Sequence, residues 1–204
     1  AGNAVTSGIN NTLVGGLVGD ALTDADDNTA MGRGALSTDT LGSKSTAIGR
    51  NALTTQNFTT ATDSHNVAVG YQAGLEVTTA TENVLIGGLA GDALNTGGQN
   101  VAVGHAALSS EDGHGQNVAI GYLALNAQNA GATAYNTAVG ASAGAAVTTG
   151  IHNTFVGGLS GDATTDADYN TALGSRALTT NVLGSANTAV GFDALFTVNP
   201  ATAV

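Results

Sequence analysis

Residues 66–74 read NVAVGYQAG, and the first five, Asn66 to Gly70, decide the fold because they return throughout the chain. The pentad Asn-[Thr/Val]-[Ala/Leu/Phe]-[Val/Ile/Leu/Met]-Gly begins at Asn11, Asn28, Asn66, Asn83, Asn100, Asn117, Asn136, Asn153, Asn170 and Asn187, with the variant STAIG at Ser45. Successive starts are 17 residues apart, except for one step of 21 after Ser45 and one of 19 after Asn117. The residue three places beyond each pentad glycine is always small, from Val18 and Ala35 to Ala194. No window keeps the i, i+3, i+4 pattern of a helix, and the β-branched pentads end at glycine, so a period this regular predicts a solenoid of short strands and turns. The expected fold is all-β: a parallel β-roll or β-solenoid of about eleven coils of 17 residues.

Side chains alternate between the faces of a strand. Val67 and Val69 therefore share one face, and Ala68 takes the other. The second and fourth pentad positions are Thr or apolar in every copy, and they are assigned to the interior of the coil, where a Thr hydroxyl can donate to a neighbouring carbonyl. The third position runs Leu13, Ala30, Ala47, Ala68, Leu85, Ala102, Ala119, Ala138, Phe155, Ala172 and Ala189. Along eleven coils it would make an apolar stripe larger than soluble monomers usually expose, so it is read as an inter-chain seam covered by another copy of the chain. The alternative places both columns inside a flattened single coil. The pentad glycines Gly15, Gly32, Gly49, Gly70, Gly87, Gly104, Gly121, Gly140, Gly157, Gly174 and Gly191 are expected at turns, in conformations or close contacts that a Cβ would forbid.

A longer period lies over the short one. GGLVGDA at Gly15, GGLAGDA at Gly87 and GGLSGDA at Gly157 are 72 and 70 residues apart, four coils plus an insertion. The chain reads as one repeat domain, 1–204, in four-coil blocks; with no polar cap before or within FTVNPATAV, it is expected to be a segment of a longer fibre. The GGxxGDA unit is close to the GGxGxDxL nonapeptide of calcium-loaded β-rolls. Its aspartates Asp20, Asp92 and Asp162 recur only every fourth coil, however, about 19 Å apart at about 4.7 Å per coil, and cannot share an ion. Asp24, Asp26 and Asp27 in TDADDN, with Asp166 and Asp168 in TDADYN, are the remaining candidates for an isolated Ca²⁺. Solvated acidic loops are the favoured reading, with no metal or cofactor expected.

Composition excludes several classes of function. Of 204 residues, 30 are Gly, one is Pro and none is Cys or Trp; the net charge is −11, with only four Lys and Arg to contact phosphates, so nucleic acid is not an expected partner. No apolar run reaches the roughly 20 residues of a membrane span, and AGNAVTSG lacks the basic and apolar regions of a secretion signal. His65, His105, His114 and His152 follow no repeated spacing, no His-Glu-x-x-His occurs, and the Gly-rich turns lack the Lys of a phosphate loop, so no catalytic residues are assigned and the protein is not expected to be an enzyme.

The units NVAVGYQAG, NTAVGFDAL and NVAIGYLAL resemble the repeats of trimeric β-roll fibres: the NTAVGYQAL-type units of phage tail-fibre shafts and the NSVAIG-type units in the heads of trimeric autotransporter adhesins. The resemblance covers essentially the whole chain and implies a parallel homotrimer of left-handed rolls, intertwined or side by side, at the virion tail or the bacterial cell surface. Its role would be attachment, with a host glycan or protein as partner. Adhesin heads use shorter coils than 17 residues, which favours the tail fibre. The two insertions, 54–65 and 126–135, break the repeat after fourth coils, and Phe58, His65 and Tyr135 in them are the candidate receptor-loop residues. Ice or glycan binding through the Thr-rich second column is an alternative of another class, weighed against the apolar column that shares its face.

Overall fold

A computed structural model describes residues 1–197. The elements are β1 (Thr12–Val14), β2 (Thr29–Met31), β3 (Gly42–Ser43), β4 (Thr46–Ile48), β5 (Thr62–Asp63), β6 (Val67–Val69), β7 (Val84–Ile86), β8 (Val101–Val103), β9 (Val118–Ile120), β10 (Thr137–Val139), β11 (Thr154–Val156), β12 (Thr171–Leu173) and β13 (Thr188–Val190). Eleven of them form one parallel sheet in the order β1-β2-β4-β6-β7-β8-β9-β10-β11-β12-β13, and β3 pairs with β5 beside it. Pentad lies on pentad without slippage, Val67 against Val84 and Ala68 against Leu85. The protein is thus an all-β parallel solenoid of about eleven turns, with no helix among the described residues. Most of the expected uncapped end, 196–204, lies outside the described residues.

Each of the eleven pentad strands is three residues long because the pentad glycine ends it, at φ between +122° and +147°. Two turns follow. Ala73 N–H donates to Gly70 O with Gln72 at φ +55°, the left-handed third residue of a type II turn, and Val77 N–H donates to Gly74 O. The turns also bond from coil to coil, as in Gly74 N–H to Ala90 O at 3.0 Å, so loop backbone that would otherwise be orphaned is paired up the stack.

The pentad asparagine faces inward. Asn83 N–H donates to Asn66 Oδ1 (3.0 Å) and Asn100 N–H to Asn83 Oδ1 (2.9 Å), while Asn66 Nδ2 reaches across its own coil to Ala80 O (2.7 Å). These bonds satisfy buried polar groups that a narrow coil cannot hydrate. Residues one and three of a strand share a face, so the third position is carried inside with the asparagine.

The seam assignment is therefore corrected. Ala30, Ala47, Ala68, Leu85, Ala102, Ala119, Ala138, Phe155, Ala172 and Ala189 are buried within one chain and Leu13 is half-buried, whereas the second and fourth positions, assigned to the interior, point outward. The flattened coil with both columns inside is ruled out by the same observation. Ala is frequent at the third position because a 17-residue turn encloses little room.

The pentad glycines behave as expected. A Cβ on Gly49 would lie 2.1 Å from Gly70 O, and one on Gly104 2.3 Å from Gly121 O, so successive coils meet backbone to backbone here. The second glycine of first and second coils, four places beyond the pentad glycine, has a different task. The space at Gly144 and Gly161 is taken by Phe155, whose ring atoms lie 2.9 and 2.5 Å from where their Cβ atoms would be. Leu85 fills the same space between Gly74 and Gly91, and Leu13 between Gly2 and Gly19. In third and fourth coils the arrangement inverts: buried Leu36, Leu53, Leu108, Leu125 and Leu178 sit where those glycines were, opposite alanines. The block period is thus a packing period, with one large side chain and two glycines exchanged for two leucines and small partners.

Candidate functional surface: the outward face of the sheet

With asparagine and the third position inside, the sheet's other face carries two parallel columns. One is Val14, Met31, Ile48, Val69, Ile86, Val103, Ile120, Val139, Val156, Leu173 and Val190; the other is Thr12, Thr29 and Thr46, then Val67, Val84, Val101 and Val118, then Thr137, Thr154, Thr171 and Thr188. All are half-buried or exposed, and Val14 (50%), Met31 (46%), Leu173 (49%) and Val190 (66%) are open to solvent. A stripe that runs the length of eleven strands exceeds the isolated patches a soluble surface carries.

Side-chain ladders border the stripe. Beyond the pentad glycines, Arg50 stacks on Tyr71 (5.6 Å) and His105 on Tyr122 (5.9 Å). Before the asparagines, Gln116 Nε2 donates to Gln99 Oε1 (2.9 Å) and Gln99 Nε2 to Glu82 Oε2 (2.8 Å), and Tyr135, His152 and Tyr169 stack at 5.2 Å intervals. Lys44 and Asp63 pair here too, the lysine held above its usual range and the aspartate below by their shared hydrogen bond. These ladders follow from register: parallel, in-register coils put identical positions one strand spacing apart.

The candidate loop residues do not stay together. Phe58 is buried, its N–H donating to Asp39 Oδ1 at 3.0 Å, and this corrects its assignment as a receptor contact. It turns inward because the first insertion folds back as β5 onto β3. His65 and Tyr135 are exposed, Tyr135 within the aromatic ladder, and the insertion tips 59–61 and 131–133 are exposed as well. Each insertion also supplies a buried amide. At Ser45, where the asparagine ladder lapses, Gln56 Nε2 donates to Ser45 Oγ (2.8 Å) and to Asp39 Oδ2 (2.6 Å), and its Oε1 accepts from Asn66 Nδ2. Gln128 Oε1 accepts from Asn136 Nδ2 in the second.

The calcium candidates are engaged by the preceding coil. Asp24 accepts from Ser7 Oγ, Asp26 from Ile9 N–H, Asp27 from Asn10 Nδ2 and Asp168 from Ile151 N–H, at 2.7–2.9 Å. Asp166 accepts from the hydroxyls of Thr148 and Thr149, which hold its carboxyl below the usual range. Among the described residues neither group brings three ligand atoms together. The turn aspartates Asp92 and Asp162 are raised instead, by burial.

Fold and surface define a β-solenoid repeat protein with one long apolar face. No protein-family model, curated protein or solved structure matches the chain. Among the described residues no helix is long and apolar enough to cross a membrane.

Proposed function

We propose that the chain is a structural fibre segment for attachment to a cell surface, a piece of a phage tail-fibre shaft assembled as a parallel homotrimer outside the cell. The observation that carries this reading is the continuous Val/Ile/Met/Leu stripe along the outward face of the sheet. Identical coils in register give identical stripes, so copies of the chain can cover one another along their whole length, and burial at about 25 cal/mol per Å² favours it. The reading is non-enzymatic and needs no cofactor. Receptor contact falls to the exposed insertion tips with His65 and Tyr135, which three-fold symmetry would present three times over. A bacterial trimeric adhesin head is the nearest alternative. Gold-labelled antibody against the segment tests both: decoration of phage tails supports the shaft, decoration of the cell surface supports the adhesin, and labelling of neither contradicts an attachment fibre.

A second reading has one observation in its favour. Thr12, Thr29, Thr46, Thr137, Thr154, Thr171 and Thr188 face outward at strand spacing, as a water-ordering ice-binding face would need. The two readings compete for one surface, since a trimer through the stripe buries these threonines. Thermal hysteresis by a monomeric chain would select ice binding.

A further inference from the structure

The internal repeat is its own control for what each position of a coil must hold. Ten residues beyond the pentad glycine the unbroken coils carry a buried Ala or Gly, as at Gly42, Ala80, Gly97 and Gly184; the coil from Asn100 carries His114 instead. Three residues earlier, third coils hold a side chain that accepts the N–H of this small residue: Gly42 N–H donates to Asp39 Oδ1 (3.1 Å) and Gly184 N–H to Asn181 Oδ1 (2.9 Å). His114 N–H likewise donates to Glu111 Oε1 at 3.1 Å. The turn thus needs one oxygen, and in the first block the spare Asp39 Oδ2 accepts from Gln56. Glu111 is fully buried, yet its Oε2 has no partner, and neither has the enclosed Nδ1 of His114. Asp112 stands beside them where the sister coils have Thr40 and Val182.

Each of Glu111, Asp112 and His114 offers one ligand atom, and the three atoms lie within 4.8 Å of one another. His114 Nδ1 is 3.6 Å from Glu111 Oε1, close to the about 3.4 Å expected between two ligands of one tetrahedral ion. A buried carboxylate is costly unless its charge is balanced, and a cation shared with an imidazole is one arrangement that balances it. We propose that Glu111, Asp112 and His114 form a binding site for a divalent transition-metal ion, with Zn²⁺ the best match to one imidazole and two carboxylates. His114 also lines a polar trough of about 370 Å³ with Thr96, Gln99 and Gln116, and Asp112 is exposed, so two of the three residues lie at the surface of the coil. That side is open where Gly113 replaces the Leu41 and Leu183 of the sister coils.

Titration of the metal-stripped chain with zinc chloride by calorimetry, followed by zinc-edge X-ray absorption, tests the site. One ion per chain with mixed nitrogen and oxygen ligation is expected. His114→Gly copies Gly42 and Gly184, so it keeps the fold; it should weaken zinc about 100-fold and leave metal-free melting unchanged, and Asp112→Thr, which copies Thr40, should weaken it about 10-fold. Absence of saturable binding, or binding that His114→Gly leaves intact, would overturn the site and leave Glu111 as the partner of the unpaired Gln128 Nε2, as Asp39 is of Gln56.

Discussion

At Gly104 the backbone passes so close to the next coil that a methyl group would meet Gly121 O at 2.3 Å, in a conformation, φ +140°, that side chains avoid. Gly104→Ala should therefore cost several kcal/mol, read as a large drop in melting temperature. The reverse holds at exposed Ala186, which is held at φ +57° without need of its methyl; Ala186→Gly should stabilise by up to about 1 kcal/mol in denaturant titration. A third residue-scale expectation concerns pH. Burial raises Asp92, with Glu76 adding and His105 opposing, and raises Asp162 against Arg176. A carboxyl raised by folding binds its proton more tightly in the native state, so stability should increase as pH falls from neutrality through the folded pKa values toward the ordinary carboxylate range. Asp92→Asn with Asp162→Asn should flatten melting temperature against pH over that window. The pentad glycines were legible because regular spacing singles out a backbone requirement. Left-handed Leu53, Gln72 and Glu82 were not, since no local rule places such residues at positive φ; it is the stack, through bonds such as Leu53 N–H to Ala73 O, that holds them there.

A single strand shows why the alternation was readable and its direction was not. Period two separates Ala68 from Val67 and Val69 but does not say which side is inside, and apolar bulk pointed the wrong way. The overlooked signal was Asn66: an amide repeated at the same place in coil after coil needs partners on both sides, which the coil interior provides. The fifth-residue glycine of GGxxGDA carried no such signal, because the side chain that fills its space comes from the strand six residues earlier in the same coil. Phe155→Ala should cost about 3–5 kcal/mol by opening a cavity between Gly144 and Gly161, whereas Phe155→Leu, which copies Leu85 and Leu13, should cost less than about 1.5 kcal/mol. The insertions were located correctly by the break in period, but the inward turn of Phe58 depends on β5 returning to β3, which no spacing announces. His114 carried a signal of the opposite kind, a large ligating residue in a column of Ala and Gly, visible only once coils are aligned position by position.

For the whole molecule, eleven turns multiply each choice made in one coil. A valine outside a single strand is ordinary; a column of eleven Val, Ile, Met and Leu side chains is what the proposed fibre would cover, and the stripe to be covered moves from the third pentad position to the fourth. Disruption should distinguish the two columns. Leu85→Asp places a charge in the solenoid core and should unfold the single chain, whereas Val103→Asp with Ile120→Asp should leave the coil folded and separate the copies. The most direct measurement is the mass of the intact chain in solution by sedimentation equilibrium, compared with that of the Val103→Asp, Ile120→Asp variant. Three chains are expected for the native protein and one folded chain for the variant, with unchanged β-sheet circular dichroism. A native protein that sediments as a single chain, stable with its Val/Ile/Met/Leu stripe open to water, would contradict the proposed fibre.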